Sequence, residues 1–177
     1  MELYLVRHTS VDVPPGICYG NSDVDVRETF IEEASQTKKS LEKIQFDEVF
    51  TSPLRRARKL ALFCGYTDAK IDNRLIEYNF GDWEMKSYDK LYAENTLFRK
   101  WINDYTNLRC PNGDSLQDQV LRVNSFLASV KKRNYKCICV FCHGGVIAIC
   151  NSICNEKNLK DCFSDIPPYG SVQHYSL

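Results

Sequence analysis

Two apolar runs of this 177-residue chain each end in a histidine. The first reads Leu3-Tyr4-Leu5-Val6-Arg7-His8, and the second reads Ile138-Cys139-Val140-Phe141-Cys142-His143-Gly144-Gly145. Continuous β-rich apolar runs are typical of strands that are buried on both faces, as in the centre of a parallel sheet. Ligands of open α/β sheets bind beyond the carboxyl ends of the strands. The sequence therefore predicts that the two histidines converge on one binding site.

Strands and helices are predicted to alternate along most of the chain. The predicted strands cover residues 2–8, 48–51, 136–142 and 171–177, the last as an edge strand, and residues 71–76 are predicted as a weaker strand or an extended segment. The predicted helices cover 29–44, 53–64, 88–105, 115–132 and 144–154. Ser52 is expected to cap the second helix with Pro53 in its first turn. This order predicts an α/β fold, a three-layer αβα sandwich with a mainly parallel sheet and helices on both faces, in one domain spanning 1–177.

The charge and the hydropathy of the chain limit the classes of molecule that it is expected to bind. The 23 basic and 23 acidic side chains cancel, so the chain lacks the positive surface that nucleic acids and anionic membranes require. No apolar run approaches the length of about 20 residues that spans a membrane, and no secretory signal pattern precedes the first strand. We therefore expect a cytoplasmic protein, either a monomer or a homodimer, that acts on a small molecule.

Nine cysteines lie mainly inside apolar runs, and their odd number argues against a complete set of disulfides. Cys139 and Cys142 form a C-x-x-C string, but residues three apart on a strand face opposite sides of the sheet. The sequence therefore predicts buried thiols rather than a metal or redox site.

The groups at the strand ends suit phosphoryl transfer. A neutral imidazole can attack phosphorus and form a phosphohistidine. Arg7 and one arginine of the segment Ser52-Pro53-Leu54-Arg55-Arg56 supply forked donors for phosphate oxygens, and His143 can carry a proton. The N–H groups of Gly144-Gly145, at the start of a helix, can face an anion. This chemistry requires neither a metal nor another cofactor.

A leaving alkoxide needs a proton donor. Glu77 is the carboxylate best placed by sequence for that role, and Asp82 and Glu84 are nearby alternatives.

Four segments in this order resemble the histidine phosphatase superfamily, in the branch that contains the cofactor-dependent phosphoglycerate mutases. They are Leu5-Val6-Arg7-His8, Thr51-Ser52-Pro53-Leu54-Arg55-Arg56-Ala57, Leu75-Ile76-Glu77-Tyr78-Asn79-Phe80-Gly81-Asp82-Trp83-Glu84 and Cys142-His143-Gly144-Gly145. The resemblance implies that His8 is the phosphorylated nucleophile and Glu77 the proton donor. It also implies that Arg7, Arg56 and His143 bind the phosphoryl group, with Arg56 selected over Arg55 because it directly precedes the alanine.

Within the superfamily, Arg7-His8-Thr9 followed by Gly16-Ile17-Cys18-Tyr19-Gly20-Asn21-Ser22-Asp23 is most similar to the alpha-ribazole phosphatases of cobalamin nucleotide-loop assembly. Most relatives have glycine at the position of Thr9. The resemblance implies that Thr9, Tyr19, Gly20 and Gly144 contact the substrate, together with the phosphate-binding residues.

Several alternatives stay open at this point. A phosphatase of broad specificity for sugar phosphates or phosphoserine has the same catalytic groups. A phosphoglycerate mutase must enclose its substrate more fully than this short chain suggests. A phosphate-binding module without catalysis would need neither the nucleophile nor the acid.

Overall fold

The computed structural model describes residues 1–177, apart from the side chain of residue 165. Its strands are Glu2–Arg7 (β1), Glu48–Thr51 (β2), Lys70–Ile71 (β3), Cys137–Cys142 (β4) and Val172–Ser176 (β5). Its α-helices are Phe30–Leu41 (α1), Arg55–Phe63 (α2), Tyr88–Glu94 (α3), Thr96–Asn103 (α4), Leu116–Lys131 (α5) and Gly144–Cys154 (α6). Short 3₁₀ helices cover Asn73–Leu75, Gly81–Trp83 and Leu159–Asp165.

The five strands form one sheet in the order β3-β2-β4-β1-β5. All neighbouring strands are parallel except β5, which pairs antiparallel with β1 at the edge. The predicted α/β fold with a mainly parallel sheet is confirmed, and so is the C-terminal edge strand.

Apolar side chains fill both faces of the sheet. Leu3 and Leu5 of β1 belong to a core that includes residues of α5 and α6, whereas Val6 belongs to a second core with residues of α1 and α2. Cys142 and Cys139 lie in the first and second of these cores, respectively, and all nine cysteines are free thiols. The prediction that Cys139 and Cys142 face opposite sides is therefore confirmed.

A third core lies beside the sheet edge that carries the site. It joins α3 and α4 to the loops before and after them, and its members are Cys18, Tyr78, Trp83, Leu91, Phe98, Trp101 and Cys110. The predicted single helix over 88–105 is wrong, because the side chain of Asn95 accepts a hydrogen bond from the backbone N–H of Phe98 and starts a second helix there. The break lets two short helices wrap around the aromatic side chains.

Two further boundaries differ from the predictions. The segment expected over 71–76 as a weaker strand or an extended segment is a strand only as far as Ile71, because the side chain of Asp72 accepts a hydrogen bond from the backbone N–H of Arg74 and starts a 3₁₀ turn. The helix expected to follow a Ser52 cap begins at Arg55, after Leu54, whose backbone is still extended. Ser52 is consequently free for the contact with His143 described below.

Among the described residues, no helix combines the length and the apolar character needed to cross a membrane.

Candidate active site

The register of the parallel strands places the two histidines side by side. Arg7 at the end of β1 pairs with Cys142 at the end of β4, so the next residues, His8 and His143, leave the sheet at the same level. Their ring centroids lie 5.2 Å apart. The predicted convergence of the two strand ends is present in the structure.

His8 is held in one tautomer by the backbone. Its Nδ1 lies 2.7 Å from the carbonyl oxygen of Thr9, and a carbonyl can only accept, so Nδ1 carries the proton. The Nε2 atom therefore keeps its lone pair. Burial of the ring, reinforced by the charge of Arg56, lowers the pKa of His8 well below its ordinary value. His8 is a neutral imidazole with an unprotonated Nε2, as a nucleophile requires.

His143 takes the opposite tautomer through Ser52. Its Nε2 lies 2.6 Å from the Ser52 hydroxyl oxygen, which also accepts a hydrogen bond from the backbone N–H of Leu54. Since the Ser52 hydroxyl has no other acceptor among the described residues, its proton is directed to the imidazole, and Nδ1 of His143 carries the ring proton. That Nδ1 is buried and has no hydrogen-bond partner among the described residues. Burial also lowers the pKa of His143 well below its ordinary value, so this ring is a neutral donor.

Arg56 is a fully buried cation next to the two imidazoles. Its guanidinium donates to the carbonyl oxygens of Gly20 at 2.6 Å and Ser22 at 2.8 Å, and its Nε has no partner among the side chains that the structure describes. No carboxylate of the described residues lies within ion-pairing distance of it. A buried charge without a counterion is costly. Arg56 is therefore positioned to bind an anion.

Arg7 is a second cation without an ion pair in the described part of the chain. Its Nη1 donates to the carbonyl oxygen of Pro167 at 2.6 Å, its guanidinium carbon lies 3.9 Å from the ring centroid of Tyr169, and its Nε is buried without a partner. Together with Arg56 it gives this edge of the sheet a positive potential beside His8. Arg55, by contrast, lies half exposed and pairs with Asp23 and Asp25 on the surface.

Glu77 is fixed by three donors. Its Oε1 accepts from the backbone N–H of Tyr78 and from Nε2 of Gln119, both at 2.9 Å, and its Oε2 accepts from the backbone N–H of Gly145 at 2.9 Å. Glu77 follows a 3₁₀ turn rather than the strand end that the sequence suggested. It lines the same cavity as Arg7 and His8.

The two glycines after His143 let the start of α6 lie close to the side chains of Glu77 and Arg7. A Cβ on Gly145 would lie 2.4 Å from Oε1 of Glu77, and a Cβ on Gly144 would lie 3.3 Å from Nε of Arg7. The N–H of Gly145 faces an anion, as expected for the start of a helix, but that anion is the Glu77 carboxylate.

The other two candidate proton donors, Glu84 and Asp82, make hydrogen bonds that hold loops in place. Glu84 accepts hydrogen bonds from the backbone N–H groups of residues 20–22 and from the hydroxyl of Ser22, so it holds the loop that contacts Arg56. Asp82 accepts from the side chain of Asn112 near the surface. Neither carboxylate lines the cavity with His8.

Three further residues predicted to contact the substrate, Tyr19, Gly20 and Thr9, lie in different surroundings. Tyr19 lines the cavity, and its hydroxyl lies 2.6 Å from that of Tyr169. Gly20 is not one of the lining residues, and a Cβ at this position would meet the carbonyl oxygen of Tyr78 at 1.8 Å. The Thr9 hydroxyl is buried without a partner among the described residues.

The cavity beside these groups has a volume of about 300 Å³. Arg7, His8 and Glu77 are among its lining residues. The rest of its wall is Ile17, Tyr19, Tyr78, Phe80, Tyr88, Gly144, Gly145, Trp101, Phe163, Ile166 and Tyr169. The pocket thus combines two charged side chains and His8 with a largely aromatic wall. In the described part of the chain, no group of three or more His, Cys, Asp or Glu side chains is arranged to hold a metal ion.

Sequence reasoning missed three residues of the site. The sequence predicts Ser52 as a helix cap, whereas its hydroxyl contacts Nε2 of His143 and directs the tautomer of that ring. Gln119 lies on the buried face of α5 and donates to Glu77, and Tyr169 stacks on Arg7. A buried glutamine on an otherwise apolar helix face is a usable signal, since buried amides need partners.

Residues 3–174 match the family model described as histidine phosphatase superfamily, branch 1. The chain belongs to this superfamily. Adenosylcobalamin/alpha-ribazole phosphatase of Escherichia coli strain K12 is 31% identical over 156 residues, which cover 84% of this chain and 76% of that protein. A candidate phosphoserine phosphatase 2 of Hydrogenobacter thermophilus is 32% identical over 151 residues, covering 82% of this chain and 74% of that protein.

The fold has close counterparts among solved structures. The crystal structure of the alpha-ribazole phosphatase from Shigella flexneri superposes with a TM-score of 0.90 at 26% identity, covering 98% of this chain and 89% of that one. The histidine phosphatase resemblance noted in the sequence is confirmed, and the family match supports phosphatase activity.

Proposed function

We propose that this chain hydrolyses a phosphomonoester through a phosphohistidine at His8. The buried charge of Arg56 carries the proposal, because this guanidinium has no counterion in the described part of the chain and stands beside two neutral imidazoles. A phosphoryl group is the anion whose oxygens suit forked arginine donors. It would also give partners to Nε of both arginines, to Nδ1 of His143 and to the hydroxyl of Thr9, which otherwise lack them.

The first step forms a bond between Nε2 of His8 and phosphorus while the bond from phosphorus to the leaving oxygen breaks. Arg7, Arg56 and the N–H of His143 neutralise charge on the phosphoryl oxygens. Glu77 gives its proton to the leaving oxygen. The second ionisation of a phosphate monoester has a pKa of about 6. A monoanionic substrate therefore carries one proton, which Glu77 takes up and passes on to the leaving oxygen.

The second step releases phosphate. Glu77, now a carboxylate, takes a proton from a water molecule whose oxygen attacks phosphorus, and the bond from phosphorus to His8 Nε2 breaks. Inorganic phosphate takes the proton from Glu77 and leaves as its monoanion, so His8 returns to the neutral state and Glu77 to the carboxylate. None of these steps uses a metal or an organic cofactor.

For the substrate we propose alpha-ribazole 5′-phosphate. The cavity wall includes aromatic side chains such as Phe80, Tyr88 and Trp101, which suit a leaving group that carries a planar base. Phosphoserine carries an ammonium and a carboxylate, which need charged partners. The only lysine, arginine, aspartate or glutamate side chains lining the described cavity are Arg7 and Glu77, and both already act on the reacting phosphate. The aromatic wall therefore favours the first substrate over the second.

Two measurements test the proposal. Incubation with a radiolabelled phosphomonoester and rapid denaturation should give an acid-labile label on wild-type protein and none on His8→Ala. Absence of both label and turnover across a panel of phosphomonoesters would reject the enzyme. Comparison of kcat/KM for alpha-ribazole 5′-phosphate, glucose 6-phosphate and phosphoserine tests the substrate. Equal values would reject the specific substrate and leave a phosphatase of broad specificity.

A further inference from the structure

Tyr169 lies where no sequence motif placed a functional residue. It follows Pro167 and Pro168 in the segment before β5, and 39% of its surface is exposed. A tyrosine that served only the core would be buried. Its ring instead covers the guanidinium of Arg7, whose central carbon is 3.9 Å from the ring centroid, and lies 5.5 Å from the imidazole of His8.

The segment that carries Tyr169 is anchored to the strand that carries the nucleophile. The backbone N–H of Gly170 donates to the carbonyl oxygen of His8 at 3.1 Å, and that of Arg7 donates to the carbonyl oxygen of Ser171 at 3.0 Å. Gly170 has a φ of 69°, a conformation that glycine adopts readily. Since the two prolines before Tyr169 restrict the backbone further, little entropy is lost in holding its ring over Arg7.

The hydroxyl of Tyr169 is also fixed. It lies 2.6 Å from the hydroxyl of Tyr19, on the loop whose carbonyl oxygens hold Arg56. Stacking uses the face of the Arg7 guanidinium, and hydrogen bonds to an anion use its edge. Tyr169 can thus restrict Arg7 without competing for the donors that phosphate needs.

We infer that Tyr169 is a positioning residue that holds Arg7 in the orientation in which its edge binds the phosphoryl group. The inference rests on the proposed function, because it assumes that Arg7 binds phosphate. Without the ring, Arg7 keeps its bond to the carbonyl oxygen of Pro167 but gains freedom of rotation. Phosphate binding then has to restrict the side chain again, which lowers affinity.

The test is calorimetric titration of the full-length protein with inorganic phosphate, a probe that requires no turnover. Tyr169→Leu should raise Kd by about threefold to thirtyfold, the range expected for loss of a cation–π contact. Tyr169→Phe keeps the stacking face and should bind phosphate within about twofold of wild type. Tyr92→Leu removes a tyrosine that is 54% exposed and lies outside the cavity, and serves as the matched control.

A double-mutant cycle separates positioning from a general structural effect. Methionine at position 7 has a similar length but no cation to stack on the ring, so Tyr169→Leu should change Kd little in the Arg7→Met background. An equal effect of Tyr169→Leu in both backgrounds would overturn the inference, as would unchanged phosphate binding by Tyr169→Leu alone. If the wild-type protein neither binds phosphate nor hydrolyses monoesters, it is the proposed function that fails.

Discussion

The hydroxyl of Ser52 lies 2.6 Å from Nε2 of His143 and determines which nitrogen of that ring carries the proton. The same oxygen accepts from the N–H of Leu54, and the imidazole is the only acceptor for its own proton among the described residues. The N–H of His143 is thereby left for an anion. A serine that comes directly after strand β2 thus prepares a histidine that follows the neighbouring strand, β4.

Ser52→Ala should reduce kcat/KM by about tenfold to hundredfold, because the imidazole loses a partner worth about 1–3 kcal/mol and the tautomer is no longer fixed. Steady-state kinetics on one phosphomonoester measures the loss. Ser52→Thr retains the hydroxyl and should recover most of the activity. Ser35→Ala removes an exposed serine hydroxyl on α1 and is the matched control. Equal activity of Ser52→Ala and wild type would contradict the assigned role.

Glu77→Gln should affect substrates according to the basicity of their leaving group. A nitrophenolate departs without a proton, so hydrolysis of p-nitrophenyl phosphate should fall only severalfold. An alkoxide needs the proton, so hydrolysis of an alkyl phosphate should fall by about a hundredfold to ten-thousandfold. The slope of log kcat against leaving-group pKa measures this difference. An unchanged slope would mean that Glu77 is not the donor, and Glu94→Gln, on the surface of α3, controls for loss of a carboxylate.

Gly145→Ala should impair the same proton donor by displacing the carboxylate of Glu77. The new Cβ would lie 2.4 Å from Oε1 of Glu77 and 3.1 Å from Nε2 of Gln119, so the carboxylate has to move. We expect a loss of about a hundredfold on alkyl phosphates and a smaller loss on p-nitrophenyl phosphate. In a Glu77→Ala background the alanine at position 145 should cost nothing more. A further loss in that background would assign the effect to the helix instead.

Much of the architecture could be predicted from the sequence. The apolar runs of β1 and β4 are long and bounded by charged or glycine residues, so their ends, and with them His8 and His143, were located correctly. The helix break at Asn95 was missed because the apolar spacing continues through it, while the capping bond that starts α4 is a local contact.

Contacts between distant segments could not be predicted in this way. Gln119 meets Glu77 from 42 residues away, and Tyr169 reaches Arg7 only because β5 folds back beside β1. Periodicity describes one element at a time, whereas these contacts depend on the register between elements. The groups that perform the proposed chemistry were recognisable by motif, but those that orient them were not.

Stability should fall as the pH is lowered from about 7.5 to 5.5. Burial lowers the pKa of His8 and His143 well below 6.5 in the folded protein, whereas unfolded histidine titrates near about 6.5. Below that pH the unfolded chain binds protons that the folded chain does not, so the stability present above it is progressively lost. Each histidine contributes at most about 1.4 kcal/mol per pH unit in this window. Carboxyls such as Asp72, whose pKa is lowered by its hydrogen bond to Arg74, titrate at lower pH.

Denaturant unfolding of the wild type and of a His8→Gln/His143→Gln variant at several pH values measures this dependence. The double variant should show a clearly smaller loss of unfolding free energy between pH of about 7.5 and 5.5, since glutamine does not titrate. His174→Gln removes the third histidine, which lies near the surface beside Glu2, and controls for histidine loss outside the site. The same slope in the double variant and the wild type would show that His8 and His143 are not held neutral by burial.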